Sequence, residues 1–221
     1  ESTIPLSTYL GTVGMPGRTA YFGLNRVGKP KIGETLVVSA ASGAVGTVVG
    51  QLAKSYGLKV IGVAGGPEKC SFVKDELGFD ACVDYKAGNL EVDLKEACPY
   101  GVDIYFENVG GEVTRAIAPL LNKGSRVPIC GFISQYNAKD IFETETPFDV
   151  LGKLNPKPSH RFFVVTEWAN EWDKATDEIS KLIENNDLVY RETITKGFEN
   201  APQALRDALT GKNFGKQIIE I

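Results

Sequence analysis

The chain has 221 residues, of which 43% are hydrophobic and 24% are charged, a composition typical of a folded globular protein. Its 24 basic residues against 28 acidic ones give a net charge of −4, and no basic block occurs, which argues against a nucleic-acid or anionic-membrane partner. No run of 18 apolar residues occurs, so the sequence predicts no membrane-spanning helix. We therefore expect a small-molecule ligand.

Cysteine and histidine are too few and too scattered for a zinc site. No two cysteines form the CxxC pair that structural zinc sites use, so we expect no metal ion. A chain of this length buries its own core without disulfides, and we expect reduced thiols in a cytoplasmic protein. The residues concerned are Cys70, Cys82, Cys98, Cys130 and the only histidine, His160.

Apolar runs of strand length alternate with helical patterns through the middle of the chain. Because these runs are apolar throughout rather than alternating, both faces of the sheet are expected to be covered by helices. The pattern predicts an α/β fold of the Rossmann type, a doubly wound parallel sheet of six strands in the order 3-2-1-4-5-6. The predicted strands are 35–40, 59–64, 81–84, 102–107, 124–130 and 161–166, and the predicted helices are 45–56, 67–77, 90–97, one opening at Gly110-Gly111, and 169–186.

The two ends of the chain differ from this middle. Residues 1–30 are predicted to form a lead-in or hinge, residues 31–187 the Rossmann domain, and residues 188–221 a tail whose strands belong to another sheet. Because the chain begins with Glu1 rather than Met, we expect it to be part of a longer protein. The predicted segments are a helix-like stretch at 19–24 in the lead-in and, in the tail, a strand at 189–195, a helix at 199–209 and a strand at 216–221.

A glycine turn follows the first predicted strand, with the sequence Ala-Ser-Gly-Ala-Val-Gly over residues 41–46. In a dinucleotide site such glycines allow a tight turn, a close approach of backbone amides to the pyrophosphate, and close packing of helix on strand. The first glycine of that pattern is replaced here by Ala41. Two interpretations stay open, a phosphate site over Gly43–Gly46 and a turn that serves only the fold.

The end of the second predicted strand bears on which cofactor would bind. A site for NAD places an acidic residue there to accept from the ribose hydroxyls, whereas this chain has Ala-Gly-Gly-Pro-Glu-Lys over residues 64–69. The small residues leave room for a 2′-phosphate, and Lys69 supplies positive charge. The pattern favours NADPH over NADH, the alternative being that Lys69 is a solvated helix residue.

Other polar or reactive residues fall where predicted strands end, which is where ligands bind in this architecture. From this pattern alone, a turn-forming asparagine, a core thiol and a packed loop tyrosine are the favoured interpretations, with ligand binding as the alternative. The residues are Tyr85, Glu107, Asn108, Cys130, Gly131, Ser134 and Tyr136.

Seven segments, in chain order, resemble one known family. They are LGTVGMPGRTAYFGL, SGAVGTVVGQLAK, AGGPEK, FENVGG, ICGFISQYN, FFVV and GKNFGKQIIEI. This set resembles the prostaglandin/leukotriene reductases among the medium-chain dehydrogenases/reductases, a group that includes NADPH-dependent alkenal and enone double-bond reductases. The resemblance implies NADP(H) as cofactor, with the pyrophosphate at Gly43, Ala44, Val45 and Gly46, the 2′-phosphate at Lys69 and the adenosine at Tyr85. It places Asn108, Cys130, Gly131, Phe132, Ile133, Ser134, Tyr136, Phe163, Val164, Val165 and Asn213 around the nicotinamide ribose and ring.

The same resemblance implies a zinc-independent reduction in which a hydride passes to the β-carbon of an α,β-unsaturated ketone or aldehyde. Tyr136 and a ribose hydroxyl of the cofactor are the candidate donors to the developing oxyanion. In the zinc alcohol dehydrogenase branch of the superfamily one zinc ligand lies in the lead-in, which here reads GTVGMPGRTAY. Because no cysteine precedes Cys70, a zinc alcohol dehydrogenase is disfavoured. The other alternative is a non-catalytic NADPH-binding module that senses redox state or docks a partner. The family further implies a homodimer that pairs the edge strand Arg161–Thr166 of each subunit.

Two features depart from that family. Its members generally carry an N-terminal GroES-like substrate domain, which nothing here matches except the tail that in the family returns to it. We therefore expect the 221 residues by themselves to bind NADPH without appreciable turnover of enones. In addition, several members have a tyrosine eight residues before the FVV strand, and Asn155 takes that place here.

Overall fold

The computed structural model describes residues 4–140 and 143–221. Its main feature is a six-stranded sheet in which every neighbouring pair of strands is parallel. The strand order is β3-β2-β1-β4-β5-β6, so the predicted α/β Rossmann architecture and the predicted order are confirmed. The strands are β1 (Thr35–Ser39), β2 (Lys59–Ala64), β3 (Ala81–Asp84), β4 (Val102–Phe106), β5 (Leu121–Ile129) and β6 (Ser159–Phe162).

Successive residues of the central strands pack into two separate cores, one on each face of the sheet. On β1, Leu36 and Val38 join the core that contains α2, whereas Val37 joins the core on the opposite face. This alternation is the two-residue period of a strand, and both sets are fully buried. Each such side chain contributes about 1.5–3 kcal/mol on burial, which is why the continuously apolar runs form the inner strands.

Helices cover both faces, with bounds close to those predicted for most of them. The predicted helix 67–77 departs from this, because its second half, Phe72–Glu76, is a π-helical turn. Among the described residues no helix is both long and apolar enough to cross a membrane. The helices are α1 (Met15–Phe22), α2 (Gly46–Ser55), α3 (Pro67–Ser71), α4 (Leu90–Ala97), α5 (Gly111–Ile117), α6 (Pro147–Gly152), α7 (Trp172–Glu184) and α8 (Ala201–Leu209).

The predicted bounds of the edge strand, Arg161–Thr166, are wrong. β6 covers Ser159–Phe162 and pairs with β5 from Arg126↔Ser159 to Ile129↔Phe162. The strand ends there because the Glu167 carboxylate accepts the Val164 N–H at 2.9 Å, and a 3₁₀ segment follows over Val165–Glu171. This local hydrogen bond also delays α7 to Trp172, three residues after the predicted helix start at 169.

The lead-in packs against the sheet through a helix that is longer than predicted. α1 begins at Met15 rather than at residue 19, and a π-helical segment over Gly23–Gly28 continues it. A side chain at Gly23 would bring its Cβ to 2.4 Å from the Phe163 ring, so this approach requires glycine. α1 packs against α2 and α7 on one face of the sheet.

The tail forms a second sheet, as predicted from its pattern. Its strands, β7 (Glu192–Lys196) and β8 (Lys216–Glu220), pair in parallel with each other, and α8 connects them. The Gly215 N–H donates to the Ser42 carbonyl at 2.8 Å, which brings the tail onto the turn that follows β1. The tail therefore lies directly beside the turn that follows β1.

Candidate functional site

A cavity of about 550 Å³ lies at the carboxyl ends of the central strands. It contains the boundary between β1 and β4, where the chain order of the strands reverses and where ligands bind in doubly wound sheets. Its volume falls in the range of small-molecule sites. The predicted site residues that line it are Gly43, Ala44, Val45, Gly46, Lys69, Tyr85, Asn108, Cys130, Gly131, Ile133, Ser134, Tyr136 and Asn213.

The turn after β1 explains how the chain accommodates an alanine in place of the first motif glycine. Ala40 adopts the left-handed conformation with φ 50°, so the sharp turn occurs one residue earlier, and Ala41 donates its N–H to the Val63 carbonyl at 3.0 Å. A Cβ at Gly46 would lie 2.3 Å from the Ala40 carbonyl oxygen. Glycine at 46 is therefore required for α2 to pack closely on the turn.

The same turn leaves backbone donors at the cavity. Within residues 4–140 and 143–221, the N–H groups of Ala44 and Val45 donate no hydrogen bond to protein. Both residues line the cavity, and both precede the first turn of α2. Unpaired amides before a ten-residue helix, beside glycines that leave room for close approach, fit an anionic phosphate.

Lys69 supplies positive charge at the cavity. Its ammonium donates to the Gly211 carbonyl at 2.6 Å and lies 5.3 Å from the centre of the Phe214 ring. Burial, aided by the charge of Lys86 and opposed by Glu68, lowers the pKa of Lys69. The lysine is thus held in place while keeping two further N–H donors for a ligand.

The loop after β2 carries no acidic residue into the cavity. The Gly66 N–H donates to the Asp84 carboxylate at 2.8 Å, which commits that carboxylate to the loop backbone. The Tyr85 ring packs on Gly65, where a Cβ would lie 2.7 Å from the ring. Lys69 and Tyr85 therefore flank a part of the cavity that has room for a ligand group. No carboxylate from the end of β2 competes with such a group for Lys69.

The ends of β4 and β5 form the other half of the cavity. Asn108 donates its side-chain N–H to the Ser39 carbonyl at 2.8 Å. Tyr136 is half exposed, and its hydroxyl lies 2.7 Å from where a Cβ of Gly131 would be, so glycine allows the ring to cover the strand end. Burial, with the nearby Glu107, raises the pKa of the Cys130 thiol to about 12, which keeps the thiol protonated and makes it a poor nucleophile.

Four of the predicted site residues do not line this cavity. Phe132 packs against Tyr136 and Phe148, and Phe163 is buried against Phe106. Val165 is buried, whereas Val164 is 46% exposed. Their assignment to the nicotinamide end stays a prediction.

The tail contributes a wall of the cavity of which the sequence indicated only Asn213. Gly43 and Gly215 form a parallel β-bridge, and a Cβ at Gly215 would lie 1.8 Å from the Arg191 carbonyl oxygen. The glycines around Asn213 were the available signal, because Gly211 and Gly215 both have positive φ. The added wall residues are Ala208, Leu209, Thr210, Gly211, Gly215, Lys216 and Gln217.

Metal-ligating side chains do not converge in the described part of the chain. No group of three or more His, Cys, Asp or Glu residues lies close enough there to hold a metal ion. The four cysteines are free thiols.

The sequence is similar to those of known reductases over nearly its whole length. NADPH-dependent curcumin reductase of Escherichia coli (strain K12) is 45% identical over 215 residues, which are 96% of this chain and 62% of that protein. Prostaglandin reductase 1 of Sus scrofa is 46% identical over 220 residues, which are 99% of this chain and 66% of that protein. The chain thus spans less than two thirds of the length of these relatives.

A solved structure and a family model agree with these relatives. The crystal structure of CurA in complex with NADPH from Vibrio vulnificus matches with a TM-score of 0.91 at 46% identity, covering 99% of this chain and 66% of that one. A family model described as zinc-binding dehydrogenase matches residues 44–181. The chain belongs to the medium-chain dehydrogenase/reductase superfamily and, within it, to the family of prostaglandin, curcumin and alkenal reductases.

Proposed function

We propose that this chain binds NADP(H) and forms the cofactor-binding part of an NADPH-dependent reductase of α,β-unsaturated ketones and aldehydes. The observation that carries the proposal is the pairing, in one cavity, of a glycine turn with unpaired amides and a lysine held beside a loop without a free carboxylate. The NADPH dependence of its relatives supports the same cofactor.

The phosphates are assigned to the two places where the cavity is complementary to negative charge. The amides of Ala44 and Val45, with the room left by Gly43 and Gly46, hold the pyrophosphate. Lys69 holds the 2′-phosphate, because a cation with two free N–H donors forms charge-assisted hydrogen bonds with it.

The reaction end of the site is assigned to Asn108 and Tyr136. Bound NADPH supplies the hydride that reduces the carbon–carbon double bond of the substrate. The half-exposed Tyr136 has a hydroxyl able to donate a hydrogen bond to the substrate oxygen as negative charge develops there. This chain contributes hydrogen-bond donation to the substrate and orients the substrate against the cofactor. No metal ion is part of the proposal.

Turnover is proposed to need more than these 221 residues. Tyr136 is 53% exposed, so the described residues leave the substrate side of the cavity open to water. Catalysis of this kind depends on a closed, water-poor cleft that holds the enone over the cofactor. The 221 residues by themselves are therefore expected to bind NADPH firmly and to reduce enones slowly.

Self-association through the outer strand is a further part of the proposal. β6 lies at the edge of the sheet, and Phe162 is 46% exposed, so its backbone and side chains are available to a second copy of the chain. A homodimer has twice the 23.9 kDa mass of the chain, and light scattering distinguishes it from a monomer. The four free thiols fit the reducing environment of the cytoplasm.

The test is to measure NADPH binding by titration calorimetry and enone-dependent NADPH oxidation by absorbance on the same preparation. The proposal expects saturable NADPH binding, and turnover of a simple enone in a protein of the relatives' full length. Binding without turnover in that full-length protein would favour a non-catalytic, redox-sensing module. Absence of NADPH binding would refute the proposal.

A further inference from the structure

Glu107 is a fully buried acidic residue directly after β4, next in the chain to Asn108, which lines the cavity. Its carboxyl group accepts from the backbone N–H groups of Val109 at 2.7 Å and Gly110 at 2.9 Å, and from the Thr114 hydroxyl. No ion pair involves it among the described residues. A buried carboxyl group is costly unless it is hydrogen-bonded, so this set of donors fixes its position.

Ser39 links this carboxyl group to the cavity. Its hydroxyl lies 3.1 Å from Glu107 Oε1, closer than the 3.4 Å to the Phe106 carbonyl, and donates its single proton to the carboxyl group. The Ser39 oxygen is then free to accept the backbone N–H of Asn108, at 2.8 Å. Because the Ser39 proton points to Glu107, a lone pair of the same oxygen is oriented toward the Asn108 N–H, which can only donate.

Asn108 is held at two points by Ser39, and the one at the serine hydroxyl is linked to Glu107. Its backbone N–H donates to Ser39 Oγ and its side-chain N–H donates to the Ser39 carbonyl, each at 2.8 Å. With that N–H committed, the side-chain oxygen of Asn108 is the group oriented to accept, and Asn108 lines the cavity. An acceptor there recognises a ligand hydroxyl or carboxamide N–H.

We propose that Glu107 is a positioning residue that acts through Ser39 to fix Asn108 as a hydrogen-bond acceptor for the nicotinamide half of the cofactor. The inference rests on the proposed function, since it requires NADPH in this cavity. It assigns to Glu107 no contact with the cofactor. Among the described residues, Lys69 is hydrogen-bonded to Gly211 in the tail and not to Glu107, Ser39 or Asn108, so we expect it to bind independently of this relay.

The experiment compares NADPH with 2′,5′-ADP, which carries the 2′-phosphate but lacks the nicotinamide half. Ser39→Ala removes the relay and is expected to weaken NADPH binding about 3- to 10-fold, the loss of one hydrogen bond, while leaving 2′,5′-ADP binding unchanged. Ser125→Ala is the matched control, because Ser125 is a buried serine on β5 whose hydroxyl has no hydrogen-bond partner among the described residues. That variant is expected to bind both ligands like the wild type.

Variants of Glu107 test the first link of the relay. Glu107→Ala is expected to weaken NADPH binding at least as much as Ser39→Ala, whereas Glu107→Gln keeps a side-chain oxygen for Ser39 and restores binding to within about threefold of the wild type. Unchanged 2′,5′-ADP binding shows that each variant is folded. Unaltered NADPH binding by Ser39→Ala, or equal losses for NADPH and 2′,5′-ADP, would overturn the inference. A wild type that binds neither ligand would instead refute the proposed function and the inference together.

Discussion

Replacing Lys69 by alanine is the sharpest test of how the site selects its cofactor. The Lys69 ammonium is already held by the Gly211 carbonyl at 2.6 Å, so little rotamer freedom is lost when a phosphate binds. A hydrogen bond to a charged group contributes about 1.5–3 kcal/mol. Lys69→Ala is therefore expected to weaken NADPH binding about 10- to 150-fold. NADH, which has no 2′-phosphate, should bind nearly as before.

Alkaline pH should reproduce part of this loss in the wild type. Burial lowers the pKa of Lys69, so its charge disappears as pH rises through a value below that of an ordinary lysine. The excess of NADPH over NADH affinity should fall across that range. The Lys69→Ala variant has no such charge to lose, and its ratio of affinities should stay flat in the same range.

Titration calorimetry with both cofactors measures these changes directly. Lys74→Ala is the control, because Lys74 is an exposed lysine in the helical turn that follows α3 and does not line the cavity. It is expected to change neither affinity by more than about twofold, the scale of a weak surface charge effect. Equal losses of NADPH and NADH affinity in Lys69→Ala would show that Lys69 does not bind the 2′-phosphate.

Three further predictions concern the rest of the cavity. Tyr136→Phe should lower enone turnover in a protein of the relatives' full length while leaving NADPH affinity within about threefold, and an unchanged rate would make Tyr136 a packing residue. Gly46→Ala should lower the melting temperature and weaken cofactor binding, because its Cβ would lie 2.3 Å from the Ala40 carbonyl oxygen; wild-type melting and affinity would refute the close packing assigned to that turn. A hydrogen bond with Cys82 lowers the pKa of Cys70, whereas burial raises the pKa of Cys130 to about 12. Iodoacetamide should therefore alkylate Cys70 long before Cys130. Mass spectrometry showing the reverse order would contradict this ranking of the two thiols.

The sheet could be predicted from the sequence because its strands are specified locally. The run over β2, buried on both faces and bounded by glycines, matches its predicted bounds, and the reversal of order at β1 follows from the doubly wound pattern. The edge strand was misplaced because its end depends on the Glu167 side chain turning back to the Val164 N–H. Apolar composition at 163–166 carries no sign of that hydrogen bond.

Some residues of the candidate site could likewise be predicted from the sequence, and others could not. Gly43, Lys69 and Tyr136 were accessible to sequence reasoning because each follows a strand that ends at one edge of the sheet. The tail wall was missed, apart from Asn213, because it depends on the bridge between Gly43 and Gly215, which are far apart in the chain. The role of Glu107 was missed because an acidic residue after a strand has the same appearance whether it is solvated or buried among donors.

The measurement that tests the central claim most directly is a parallel titration of the wild-type chain with NADPH and NADH under one set of conditions. The cavity pairs a phosphate-binding turn with Lys69, so NADPH is expected to bind saturably, with one molecule per chain and at least about tenfold more tightly than NADH. Equal affinity for the two cofactors, or no binding of NADPH, would contradict the assignment of this cavity.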